Sequence, residues 1–131
     1  MFVRFPVPNS KGYNNPAWVA VNYGFEVQID EFGAPDGQDI HKTGAIYRGD
    51  GRRDGETFAL KPARPVGQWN EYEIRVQGQS YQVFLNGDQV CTFDNPYPGR
   101  GLPSTGAAPS YVGLQTHTGR VAFRNIRYQA L

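Results

Sequence analysis

At 131 residues, 39% hydrophobic and 14% aromatic, the chain is long enough for one domain with a buried core and too apolar to be disordered. Thirteen basic and twelve acidic residues leave a net charge of +1, and no Lys/Arg run occurs, so the electrostatic footprint of a nucleic-acid binder is missing. No apolar run approaches the roughly 20 residues of a membrane helix, and no charged region followed by an apolar stretch marks a signal peptide. Cys91 stands alone in the strand-like run Gln89 to Phe93. With no second thiol and no nearby His or Cys at ligand spacing, it reads as a small buried apolar residue.

Met1 to Phe5 alternates like the middle of a strand with no cap before it, the pattern expected of a chain that starts inside a longer protein. Pro6 to Pro16, dense in Pro, Asn, Ser and Gly, predicts a long loop. Trp18, Val19 and Val21 are expected to lead into a strand over Gly24 to Glu31, where Phe25, Val27 and Ile29 alternate with Glu26, Gln28 and Asp30. That period gives one core face and one face of two acids and an amide. A loop over Glu31 to Lys42 precedes a strand over Thr43 to Tyr47. The next loop, Arg48 to Gly55, is flanked by Asp50 and Asp54, but the alternating ligands and distal Glu of a calcium loop are absent, so a solvated structural loop is expected.

Strands over Trp69 to Gln77, Tyr81 to Leu85 and Gln89 to Phe93, joined by Gly78-Gln79 and Asn86-Gly87, predict a three-strand meander. Asp94 to Pro109 is a third loop, followed by a strand over Tyr111 to His117 and a last strand over Val121 to Tyr128. Phe123 and Ile126 lie on opposite parities of that last strand, which predicts a bulge near Arg124-Asn125. No window keeps the helical three-and-four spacing beyond two turns. Some nine short strands make an all-β, antiparallel two-sheet jelly-roll sandwich the expected fold, as a single domain over residues 1–131.

Glu26, Gln28 and Asp30 on one strand and Gln115 and His117 on another would emerge on outer faces of the sandwich, forming one polar patch if both strands share a sheet. Ordinary glycoside hydrolysis needs two carboxyl groups about 5–5.5 Å apart for retention or about 6.5–9.5 Å for inversion. Four strand rises separate Glu26 from Asp30 by about 13 Å, and the residue at the right distance is Gln28, neither acid nor nucleophile. Serine nucleophiles lack a Gly-x-Ser-x-Gly elbow. His41, in a polar loop, reads as a solvated histidine, and Trp69, ahead of an apolar strand, as a core or edge residue.

The segments Gly24 to Asp30, Thr43 to Tyr47, Gln68-Trp69-Asn70-Glu71-Tyr72-Glu73-Ile74, Leu85-Asn86-Gly87, Gly113 to His117 and Phe123-Arg124-Asn125-Ile126-Arg127 resemble the 3-keto-disaccharide hydrolase domain family, in order and spacing over nearly the whole chain. The resemblance implies a concanavalin A-like lectin and glucanase jelly roll, a bacterial origin and a periplasmic or extracellular location. It also implies that this chain is the C-terminal part of a longer family domain lacking its N-terminal strands, which would leave an exposed edge open to self-association. Related glucanases carry carboxylates at alternate positions of the catalytic strand, and Gln28 replaces the middle one.

The implied activity is cleavage of 3-keto-glycosides, in oligosaccharides or other glycosides. A C3 ketone acidifies the C2 proton, so a base removes it and the C1 substituent leaves by elimination, after which water adds. On this reading His117 is the base and Glu26 the leaving-group acid, with Gln28, Gln115 and Arg4 binding hydroxyls or the enolate and Asp30 as a support or ligand. No cofactor is certain; a divalent metal held by Glu26 and His117 is compatible with enolate stabilisation. The alternative is a non-catalytic, lectin-like carbohydrate-binding module in which Trp18, Tyr47 and the polar face hold glycan. A third reading, a structural domain acting through its exposed edge, predicts no sugar binding.

Overall fold

The computed structural model describes residues 1–47, 57–58, 63–117 and 119–130. In chain order these form β1 (Phe2–Phe5), α1 (Ala17–Tyr23), β2 (Phe25–Val27), a 3-10 turn (Asp39–His41), β3 (Ile46–Tyr47), β4 (Thr57–Phe58), β5 (Tyr72–Gln77), β6 (Ser80–Leu85), β7 (Asp88–Asp94) and β8 (Tyr111–Gly113). The fold is all-β apart from the short α1. Sheet A has the order β3-β2-β1-β8 and sheet B the order β4-β7-β6-β5, with every pairing antiparallel. Each sheet keeps two edges among the described residues, so no barrel closes.

The meander of sheet B follows local chemistry. Asn86 and Gly87 take φ of 54° and 88°, the left-handed pair a two-residue hairpin demands, and Leu85 faces Asp88 across the turn. Tyr81, Val83 and Leu85 point inward and are all but fully buried, as period-two alternation requires. Between Val83 and Phe84 the pairing with β7 shifts by one residue; consecutive Val90 and Cys91 are both buried there, because the extra residue of a bulge breaks the alternation. Burial pushes the Cys91 thiol up to about 11, which removes it as a nucleophile at neutral pH.

Val3, Phe25, Val27 and Ile46 of sheet A pack into one apolar cluster with Tyr81, Val83, Leu85, Val90, Cys91 and Phe93 of sheet B. The two sheets therefore face each other across a shared core. Gly101 lies against this core at φ +64°, where an added Cβ would collide with the Tyr81 hydroxyl and approach Phe25 Cε2 to 2.6 Å. Left-handed strain of about 1–2 kcal/mol adds to overpacking of about 1–3 kcal/mol. Gly101→Ala is thus expected to lower unfolding free energy by about 2–5 kcal/mol in urea titration; an unchanged midpoint would refute the clash.

The structure departs from the expected elements in several places, and the strand expected over 43–47 keeps only Ile46–Tyr47. Trp18 to Val21 is helical, because Pro16 at φ −65° starts the turn and the Asn15 side-chain oxygen accepts the Ala17 N–H at 3.0 Å. Burial of Val19 and Ala20 outweighs the strand preference of the valines. The strand expected over 24–31 ends at Val27, and that over 111–117 ends at Gly113. Residues 119–130 form no strand: Asn125 at φ 53° breaks the extended run, and no described strand pairs with it. The Arg48 to Gly55 loop lies outside the described residues.

Candidate functional site

Phe25 and Val27 enter the shared core, so alternation turns Glu26 between them to the outer face of sheet A. Cross-strand register sets Glu26 opposite Phe2 on one side and Tyr47 on the other, and Phe2 opposite Gly113. One row, Gly113–Phe2–Glu26–Tyr47, thus crosses the sheet. Phe2 and Phe5 cluster with Ala20 of α1, so the helix walls this face at the Phe25 end. Glu26 is only 6% exposed, which departs from the solvated outer position that the strand pattern suggests. The Met1 amino group donates to the Val27 carbonyl at 2.9 Å and feels the Glu26 charge, though burial is the larger influence and lowers its pKa.

The helix wall is held by a residue that no sequence signal marks. Arg100 donates through Nη1 to the Asn22 carbonyl at 2.9 Å and through Nη2 to the Val21 carbonyl at 2.7 Å, satisfying carbonyls that the helix C-terminus leaves open. The Gly101 N–H donates to the Tyr23 carbonyl at 2.8 Å. Trp18, on this helix, is 51% exposed.

At the other end of the face Gln28 is half-buried, its carbonyl receiving the Tyr72 hydroxyl at 2.6 Å and the Gly44 N–H at 3.0 Å. β8 runs parallel to β2 two strands away, about 9.6 Å laterally, and the chain leaves β8 toward the Gln28 level. Gln115 is half-buried and His117 exposed in this departing segment. Had the segment stayed extended, His117 would lie about 13 Å beyond the Glu26 row; the strand instead ends at Gly113.

Two candidates are engaged elsewhere. Asp30 accepts the backbone N–H groups of Phe32, Gly33 and Ala34 at 2.9–3.0 Å, and its own N–H donates to Thr43 Oγ1 at 3.0 Å. Its carboxylate organises the loop after β2. Arg4, at φ 56° in a bulge of β1, sends its guanidinium to the Val76 carbonyl of sheet B at 3.4 Å, away from the Glu26 row. His41 lies 2.9 Å from Asp36. Tyr47 is placed by backbone register alone.

Glu26 offers one hard oxygen ligand, but the described residues contain no group of three or more His, Cys, Asp or Glu able to hold a metal. They do not assemble a complete metal set.

A family model for the 3-keto-alpha-glucoside-1,2-lyase-like domain matches residues 1–129. The chain belongs to this family. No curated protein and no solved structure matches it. As a 3-keto-alpha-glucoside-1,2-lyase-like domain, the protein is placed among carbohydrate-related proteins, and no helix of the described residues is long and apolar enough to cross a membrane.

Proposed function

We propose that the protein cleaves 3-keto-glycosides, free or within oligosaccharides, by removing the C2 proton and eliminating the C1 substituent. Family membership supports the substrate class. The observation that carries the reading is the buried Glu26 carboxyl in the middle row of the sheet A outer face. A 3-keto sugar lying over that row meets one acid, flanked by Phe2 and walled by α1. The C2–H bond breaks and its electrons enter the C3 carbonyl as an enolate. The enolate collapses to a C1=C2 double bond as the C1–O bond breaks. Glu26 gives its proton to the leaving oxygen, and water then adds to the double bond. In this reading His117 takes the C2 proton from the rim, Gln28 and Gln115 bind sugar hydroxyls, and Trp18 and Tyr47 border the face.

Two facing four-stranded sheets support a concanavalin A-like jelly roll as scaffold. A periplasmic or extracellular bacterial setting fits the same family reading.

The test uses a 1-deoxy-3-keto sugar, which has no exocyclic leaving group at C1, in deuterated water. The protein is expected to exchange the C2 hydrogen for deuterium, and His117→Ala to slow that exchange by about 10²–10⁴-fold, the usual worth of a positioned base. Sugar retention without exchange, and without product from a 3-keto-glucoside, would instead establish a lectin-like module. Equal exchange in His117→Ala would remove His117 as the base.

A further inference from the structure

The inner face of sheet A is not fully covered. Arg4 of β1 meets Val76 of β5, and β5 is the last strand of sheet B. β8, one strand beyond β1 at the edge of sheet A, carries the least covered part of that face, an overhang marked by its exposed apolar residues. Val3 and Val112 are cross-strand partners and share a face, yet Val3 is 5% exposed and Val112 60%. Leu114, just past the strand, is also exposed.

The stretch of chain that carries β8 is basic in sequence. Residues 95–131 contain four Arg and no Asp or Glu, net +4, whereas residues 1–94 contain nine basic and twelve acidic residues, net −3. Arg124 stacks on the Trp69 ring at 3.9 Å, which places the basic stretch beside the start of β5. The loop after β2, next to the opposite edge strand β3, has the complementary character. Phe32 is 77% exposed and Ile29 40%, with Asp30 and exposed Glu31 between them. The nearby cations Lys42 and His41 already contact Asp39 and Asp36.

We propose that copies of this chain associate head to tail, the Ile29–Phe32 loop of one filling the β8 overhang of the next. Phe32 would cover Val112 and Leu114, and the acids would face Arg124 and Arg127. A symmetric pairing of two β8 edges would set basic against basic, which disfavours it. A heterologous contact leaves one loop and one overhang open at the dimer, so growth continues past it into rings or open chains.

Sedimentation velocity of the 131-residue chain tests this. The weight-average mass is expected to rise past the dimer with concentration in 0.1 M salt. It should fall toward monomer in 1 M salt, where the screening length drops from about 10 Å to about 3 Å. A tail variant, Arg124→Glu with Arg127→Glu, and a loop variant, Glu31→Arg with Phe32→Ser, should each remain monomeric. Mixed together they should form a complex that stops at the dimer, because one supplies the intact loop and the other the intact overhang. Val112→Lys, which leaves the Arg124–Trp69 contact untouched, should also be monomeric and separates loss of docking from loss of fold. A wild type that is monomeric at every concentration, a loop variant that still self-associates, or a mixture that stays monomeric would each overturn the proposal.

Discussion

Glu26→Gln is expected to reduce turnover of a 3-keto-glucoside with an alkyl leaving group by about 10²–10⁴-fold, the range for losing a positioned general acid. The amide keeps the shape of the side chain but cannot deliver a proton to the departing oxygen. The leaving group separates the roles available to this carboxyl. An aryl glycoside expels a stabilised phenolate that needs little protonation, so its loss in Glu26→Gln should be much smaller than for the alkyl substrate. Equal losses for both substrates would make Glu26 the C2 base instead. Unchanged rates for both would remove it from the reaction. Thermal unfolding of the same variant controls for the fold, since Glu26 sits buried between Phe25 and Val27.

Phe25→Ala should cost about 3–5 kcal/mol, a large part of the total of about 5–15 kcal/mol that holds a domain together. Phe25 is fully buried and meets Tyr81 at 5.2 Å and Phe93 at 4.9 Å between centroids, both edge-on. The Arg100 guanidinium lies 5.0 Å from its ring centre. Truncation therefore opens a cavity between the sheets and loosens the arginine that holds α1. The expected fall in Tm is roughly 10–20 °C, read by scanning calorimetry, and Phe25→Leu should recover most of it. A loss below about 1 kcal/mol would mean that the site collapses around the gap. Because Phe25 precedes Glu26 in β2, this variant should lose stability and turnover together, whereas Glu26→Gln loses turnover alone.

The sheet B meander was legible because its cause is local: alternation in Tyr72 to Gln77 and the Asn86-Gly87 turn specify pairing between neighbours. Features set by distant contacts were not. The helical turn at Ala17–Tyr23 depends on Val19 and Ala20 finding cover, and its valines read equally well as strand. Alternation gave Glu26 its outer face, but its burial depends on what else lies on that face. The family resemblance groups Arg4 with the substrate-binding residues, whereas the bulge at its left-handed backbone turns its guanidinium toward Val76. The strand expected over Val121 to Tyr128 had the right residues, but a strand also needs a neighbour, which sequence alternation cannot supply. Asp30 matched the period of Glu26 and Gln28, yet its carboxylate satisfies three loop amides once β2 has ended.

The two sheets also differ in how far apart along the chain their strands arise. β5, β6 and β7 are consecutive hairpins, whereas β1 pairs both with β2 and, at the Phe2–Gly113 position, with a strand from the other end of the chain. Closing that long loop costs entropy before any ladder bond is gained. Contacts of such wide sequence separation slow folding relative to local ones. The complete Glu26 row therefore joins residues from both ends of the sequence, and the face proposed for chemistry carries a loop-closure cost that the sheet B hairpins do not.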